Sequence, residues 1–143
     1  MIAPMADAEL VQRLRRVPMF AGVSDRELER IAESFSERTF PAGQEIALEG
    51  RDGVGFFVIE SGEASVRRGG EEIRKLGAGD HFGEMALIDQ GLRSADVVAL
   101  TELRCHGLTA WTFRPLVEAN GAIAWPLLET LVSRLREAEA RAG

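Results

Sequence analysis

Apolar residues recur along this chain with two different periods, and the period changes twice. From Asp7 to Arg16, Leu10, Leu14 and Val17 share one helical face, and Pro18 ends the helix because proline lacks the amide that would continue it. Ser24 with Glu27 three residues later forms a capping box, and Leu28, Ile31, Ala32 and Phe35 follow at helical spacing. A second helix therefore starts at Ser24.

Past residue 35 the period falls to two. Ile46 and Leu48 alternate with Glu45 and Glu49, Leu103 and Cys105 alternate with Arg104 and His106, and Ala95 to Leu100 forms a further apolar segment. Half-buried strands have this pattern. Of the 15 glycines, 11 fall between Gly43 and Gly91, where they punctuate stretches rich in Val, Ile and Phe and so mark turns between strands. About eight such segments predict an α+β fold that is mainly β, an eight-stranded jelly-roll β-roll over 36–108. N-terminal helices (1–35) and two C-terminal helices (109–143) flank it, in one domain spanning 1–143.

The last segment, from about Ala122 to Ala142, sets Leu127, Leu128, Leu131, Leu135 and Ala138 on one helical face. Pro126 predicts that this helix either begins near Trp125 or kinks there. At about 100° per residue, Arg134 projects between Ile123 and Leu127, beside the apolar stripe, where it either meets a partner or reaches water past the core edge.

Composition narrows the function. The 17 basic residues face 23 acids, for a net charge of -6, the opposite of a nucleic-acid binder's footprint. The charge is uneven: -1 over 1–35, -5 over 36–108 and 0 over 109–143. One cysteine, Cys105, closes no internal disulfide, the first residues do not read as a secretion signal, and apolar runs such as Phe56 to Ile59 are far below the roughly 20 residues of a membrane span. These features predict a soluble cytoplasmic protein.

Candidate chemistry concentrates in Gly77 to Ala95, GAGDHFGEMALIDQGLRSA. Amides at the start of a helical turn after Gly83 suit an anion, Arg93 offers a fork of donors matched to two phosphate oxygens, and the acceptor-only Glu84 suits a hydroxyl beside that phosphate. Phosphate next to a sugar diol fits this set. An ion pair between Glu84 and Arg93 that pins a loop fits the same residue types.

Over 82–95, FGEMALIDQGLRSA closely resembles the phosphate-binding cassette of cyclic nucleotide-binding domains: FGE, an apolar turn, then arginine, a small or hydroxyl residue, and alanine. The order of helices, roll and final helix is similar to that family along nearly the whole chain. The resemblance implies that the Arg93 side chain, the amides near Gly83, Ser94 and Ala95, and the Ser94 hydroxyl hold a cyclic phosphate. It implies that Glu84 accepts the ribose 2'-hydroxyl, that backbone groups of Met85 and Ala86 line the sugar, and that Arg134 reaches the base. Leu92 stands where many relatives carry proline, and Asp96 adds a negative charge after the cassette. Ser94 rather than threonine points to cAMP over cGMP.

Other chemistries fit less well. A metal-binding cupin shares the roll and an FPAG turn at Phe40–Gly43, but its first motif needs two histidines and a glutamate, whereas the chain has only His81, read as a loop residue, and His106, read as a strand residue facing solvent. Cys105 and His106 are strand neighbours and point to opposite faces, so they form no dyad, and GxSxG and Walker loops do not occur. The expectation is a stand-alone sensor, not an enzyme, without cofactor or metal. Its ligand is cAMP, or cGMP, and it acts on a protein partner or a second copy through the C-terminal helix, without direct nucleic-acid or membrane contact. The alternative is a roll that no longer binds nucleotide and serves as a protein interaction module.

Overall fold

A computed structural model describes residues 7–47, 55–89 and 95–142. The described residues divide into two compact units, one within 35–114 and one made of 7–34 with 115–142.

The first unit is the predicted roll. Its strands are β1 (Ser36–Phe40), β2 (Glu45–Ala47), β3 (Gly55–Ser61), β4 (Ala64–Arg68), β5 (Glu71–Leu76), β6 (His81–Phe82), β7 (Asp96–Ala99) and β8 (Leu103–Thr109). They form two antiparallel four-stranded sheets ordered β1-β8-β3-β6 and β2-β7-β4-β5. One buried cluster gathers Phe40, Phe57, Ile59 and Phe82 with Val66, Leu76, Val97, Leu103 and Cys105, so alternate residues of both sheets build one core. Phe57 stacks on Phe82 with ring centroids 5.2 Å apart and meets Phe40 edge-on at 5.7 Å. Opposite Phe57, β8 carries Gly107, where a Cβ would lie 2.8 Å from the Phe57 ring, so the stacked ring requires glycine there.

β3 and β8 depart from simple alternation because they are interior strands buried on both faces. Phe56, Val58 and Leu108 are buried as fully as the core residues between them. His106 belongs to this second face. It is 7% exposed rather than turned to solvent as the alternation suggested. His81, in turn, lies on strand β6 rather than in a loop. Asp96 at the start of β7 stands opposite Arg67 of β4, so the extra charge after the cassette faces a cation across the ladder.

The second unit is helical. Helix α1 (Asp7–Arg15) buries Leu10, Val11 and Leu14, a 310 turn over Pro18–Phe20 buries Met19 and Phe20, and α2 (Asp25–Glu33) buries Leu28, Ile31 and Ala32. Proline opens the 310 turn, where its missing amide costs nothing. Ser24 caps α2 by accepting from the Glu27 amide at 3.4 Å, while the Glu27 carboxylate places Oε2 3.8 Å from Arg30 Nε.

Helix α3 (Ala110–Ala119) follows β8 directly and α4 runs unbroken from Gly121 to Ala142. Pro126 neither starts α4 nor ends it. Asn120 receives the Ile123 and Ala124 amides at 3.0 Å, so Pro126 sits just past the first turn and removes a single interior bond. The expected single apolar face is split. Ile123 and Leu127 are buried, whereas Leu128, Leu131 and Leu135, together with Trp125 and Val132, are 40% to 65% exposed. No described helix is long and apolar enough to cross a membrane.

Candidate functional site

The cassette begins where β6 ends. Phe82, 5% exposed, is pinned under Phe57, and Gly83 then takes φ +86°, a left-handed bend that L side chains rarely adopt. That bend turns the chain into a 310 turn, Glu84–Leu87, closed by the Ala86 amide donating to the Gly83 carbonyl at 3.0 Å. Ala86 and Leu87 are buried and anchor the turn, while Met85 is 71% exposed. The Ile88 and Asp89 amides both return to the Met85 carbonyl, at 3.1 and 2.9 Å. The Ala86 amide and Met85 carbonyl are thus engaged within the turn.

Glu84 emerges from this anchored turn half-buried, with Oε2 3.9 Å from His81 Nε2. His81 pairs with Val58 of β3 and meets the buried Phe56 ring edge-on, with centroids 5.8 Å apart. Sequence reasoning missed this neighbour of Glu84. The available signal was its position three residues earlier, on the last strand before the bend.

Gly83, Glu84, Met85 and Ala86 therefore come together on one turn. Ala95, half-buried, packs against the roll core just before β7. Arg93 and Ser94 lie outside the described residues. Arg134 is in the helical unit, exposed on α4 along the line Ile123, Leu127, Thr130, Arg134, as its spacing predicted. There it lines a shallow groove of about 480 Å³ with Pro18, Ala21, Thr130, Ser133 and Glu137.

A second polar group lies on the buried outer face of the β1-β8-β3-β6 sheet. Glu60 places its carboxylate 3.8 Å from His106 Nε2 and 3.8 Å from Arg104 Nε. His106 Nε2 is buried without a hydrogen-bond partner. Neighbouring Cys105 points the other way, into the core, and burial, followed by the negative charge of Glu60, pushes its thiol up to about 12. A thiol held neutral is no nucleophile. Among the described residues, no group of three or more His, Cys, Asp or Glu side chains is placed to hold a metal.

Comparison with known proteins agrees with the geometry. The family model for the cyclic nucleotide-binding domain matches residues 37–120, more than half of the chain. The cyclic AMP receptor protein of Thermus thermophilus is 33% identical over 127 residues, covering 85% of this chain and 59% of that protein. A cAMP-dependent protein kinase regulatory subunit of Neurospora crassa is 33% identical over 129 residues, covering 89% of this chain and 31% of its own length. The chain thus spans 31% and 59% of the lengths of these two relatives. Among solved structures, the N-terminal domain of a transcriptional regulator from Streptomyces coelicolor superposes with a TM-score of 0.81 at 29% identity, over 92% of this chain and 95% of that one. The Thermus thermophilus catabolite activator protein superposes with a TM-score of 0.65 at 32% identity, over 87% and 61%. The roll, the Gly83 bend and the FGE turn therefore have one common explanation: this chain belongs to the cyclic nucleotide-binding domain family.

Proposed function

We propose that the chain is a cytoplasmic sensor domain that binds cAMP reversibly and carries out no chemical transformation. The observation that carries this reading is the Gly83 bend, which sets Glu84 on a rigid turn at the head of the complete cassette sequence FGEMALIDQGLRSA. Arg93 forks onto the cyclic phosphate, the backbone near Gly83, Ser94 and Ala95 and the Ser94 hydroxyl share the anion, and Glu84 accepts the ribose hydroxyl. Met85 and Ala86 border the sugar. The net charge of -5 over 36–108 supports a small enclosed anion rather than a nucleic-acid backbone, because the surrounding field gives little long-range attraction. Relatives named for cAMP, and Ser94 in place of threonine, favour cAMP over cGMP.

The output runs through α4. Trp125, Leu128, Val132 and Leu135 follow a three-four-three spacing and are all about half or more exposed, the seam of a two-stranded coiled coil with a second copy. Val132 takes the position where β-branched residues favour two strands, and Leu128 and Leu135 take the alternate one.

The exposed seam also supports a second reading, a roll that has lost its ligand and acts only through α4. Calorimetry of the purified chain against cAMP and cGMP separates the two. Saturable binding of cAMP, tighter than cGMP, is expected, and no heat with either nucleotide overturns the sensor reading.

A further inference from the structure

Three residues before Glu84, the chain places an ionisable ring against the carboxylate assigned to the ribose. We propose that His81 is a positioning residue for Glu84 and makes cyclic nucleotide affinity rise as pH falls, an inference that rests on the ligand reading above. The pair is held from both sides. His81 is fixed by its ladder pairing with Val58 and by the edge of the Phe56 ring, and Glu84 by the buried Ala86 and Leu87 and the Gly83 bend. The His81 Nε2 to Glu84 Oε2 separation is 3.9 Å, and the two side chains are 27% and 30% exposed, so water screens them only in part.

The other charged groups of the roll on this side are turned elsewhere. Across Val58, His106 and Arg104 of β8 engage Glu60 of β3, each at 3.8 Å. Asp80, the preceding residue, accepts from the Gly77 amide at 2.8 Å. Among the described residues of the roll, Glu84 is the carboxylate that meets the His81 ring.

Imidazole is the side chain whose ordinary charge change falls between pH 5 and 8. Once protonated, His81 holds Glu84 Oε2 and leaves Oε1 to accept from the ribose. It also puts a positive charge beside the anion site of an acidic segment. Both effects tighten binding of an anionic nucleotide. Partly exposed ion pairs couple weakly, so the gain is about threefold.

Calorimetry with cAMP at about pH 5.5 and about pH 8, on the wild type, His81→Phe and His81→Gln, tests this. The wild type is expected to bind about threefold more tightly at the lower pH, and both variants to lose that dependence. Variants that keep the wild-type dependence, or a wild type that binds equally well at both pH values, overturn the proposal. A wild type that binds no nucleotide overturns the ligand reading and the proposal with it.

Discussion

Phe57 lies between two constraints of opposite kind: its ring stacks on Phe82 at 5.2 Å, and Gly107, its partner in the ladder, leaves room for that ring by having no side chain. The first residue of the cassette is thereby tied to the centre of the roll. Gly107→Ala would bring a methyl within 2.8 Å of a ring that Phe82 and Phe40 hold in place. Overpacking of this kind costs about 1 to 3 kcal/mol, and Phe82→Ala, which leaves a cavity, about 3 to 5 kcal/mol. Urea denaturation of the two variants measures both. A Gly107→Ala variant as stable as wild type would show that the Phe57 ring can move.

Cys105 makes stability fall at alkaline pH. Its thiol is raised from 9.0 to about 12 by burial in the roll core, with Glu60 adding to the shift. A group whose folded value lies above its unfolded one contributes stability that is complete below the unfolded value and is lost as pH rises towards the folded one. Tm is therefore expected to decline above about pH 9, and Cys105→Ala to flatten that decline. A thiol reagent at about pH 8 should modify the native protein only as fast as it unfolds. Immediate labelling would contradict the buried placement.

In the proposed site, Arg93→Ala removes the charged fork from the phosphate. Truncating one partner of a desolvated charge pair costs about 2 to 5 kcal/mol, so cAMP affinity is expected to fall more than about thirtyfold with the melting temperature little changed. Arg93→Lys should recover only part of the loss, because an ammonium cannot form the bidentate pair. Wild-type affinity in Arg93→Ala would remove the cassette from the binding site.

The seam on α4 is tested by charge. Leu128→Glu with Leu135→Glu puts carboxylates at the two leucine positions of the coiled coil, where like charges would meet across the dimer axis. Sedimentation analysis should show a wild-type dimer and a monomeric double variant with unchanged helicity, since both positions are exposed within a single chain. A monomeric wild type would rule out this interface.

Local pattern accounts for most of the fold. The Ser24 cap, the buried faces of α1 and α2, the number of strands and the start of the C-terminal helices near residue 109 depend on neighbours within a few residues, and that information is written linearly. The cassette was legible for the same reason, as one contiguous stretch whose glycine sits at the bend that needs it. Sheet order was not. β8 lies between β1 and β3, and only that placement buries His106 beside Glu60, against an alternation that pointed it to water. Pro126 left open a helix start near Trp125 or a kink there because its missing bond is local, and α4 in fact starts earlier, at Gly121, and continues through it, the loss of one interior bond being small against the packing of Ile123 and Leu127. The sequence by itself determined the family, through the contiguous cassette pattern and the order of helices and strands. Tertiary structure alone decided that Glu60 meets His106 and that most of the α4 stripe stays exposed, because burial and long-range proximity depend on which elements meet and not on the order in which they are written.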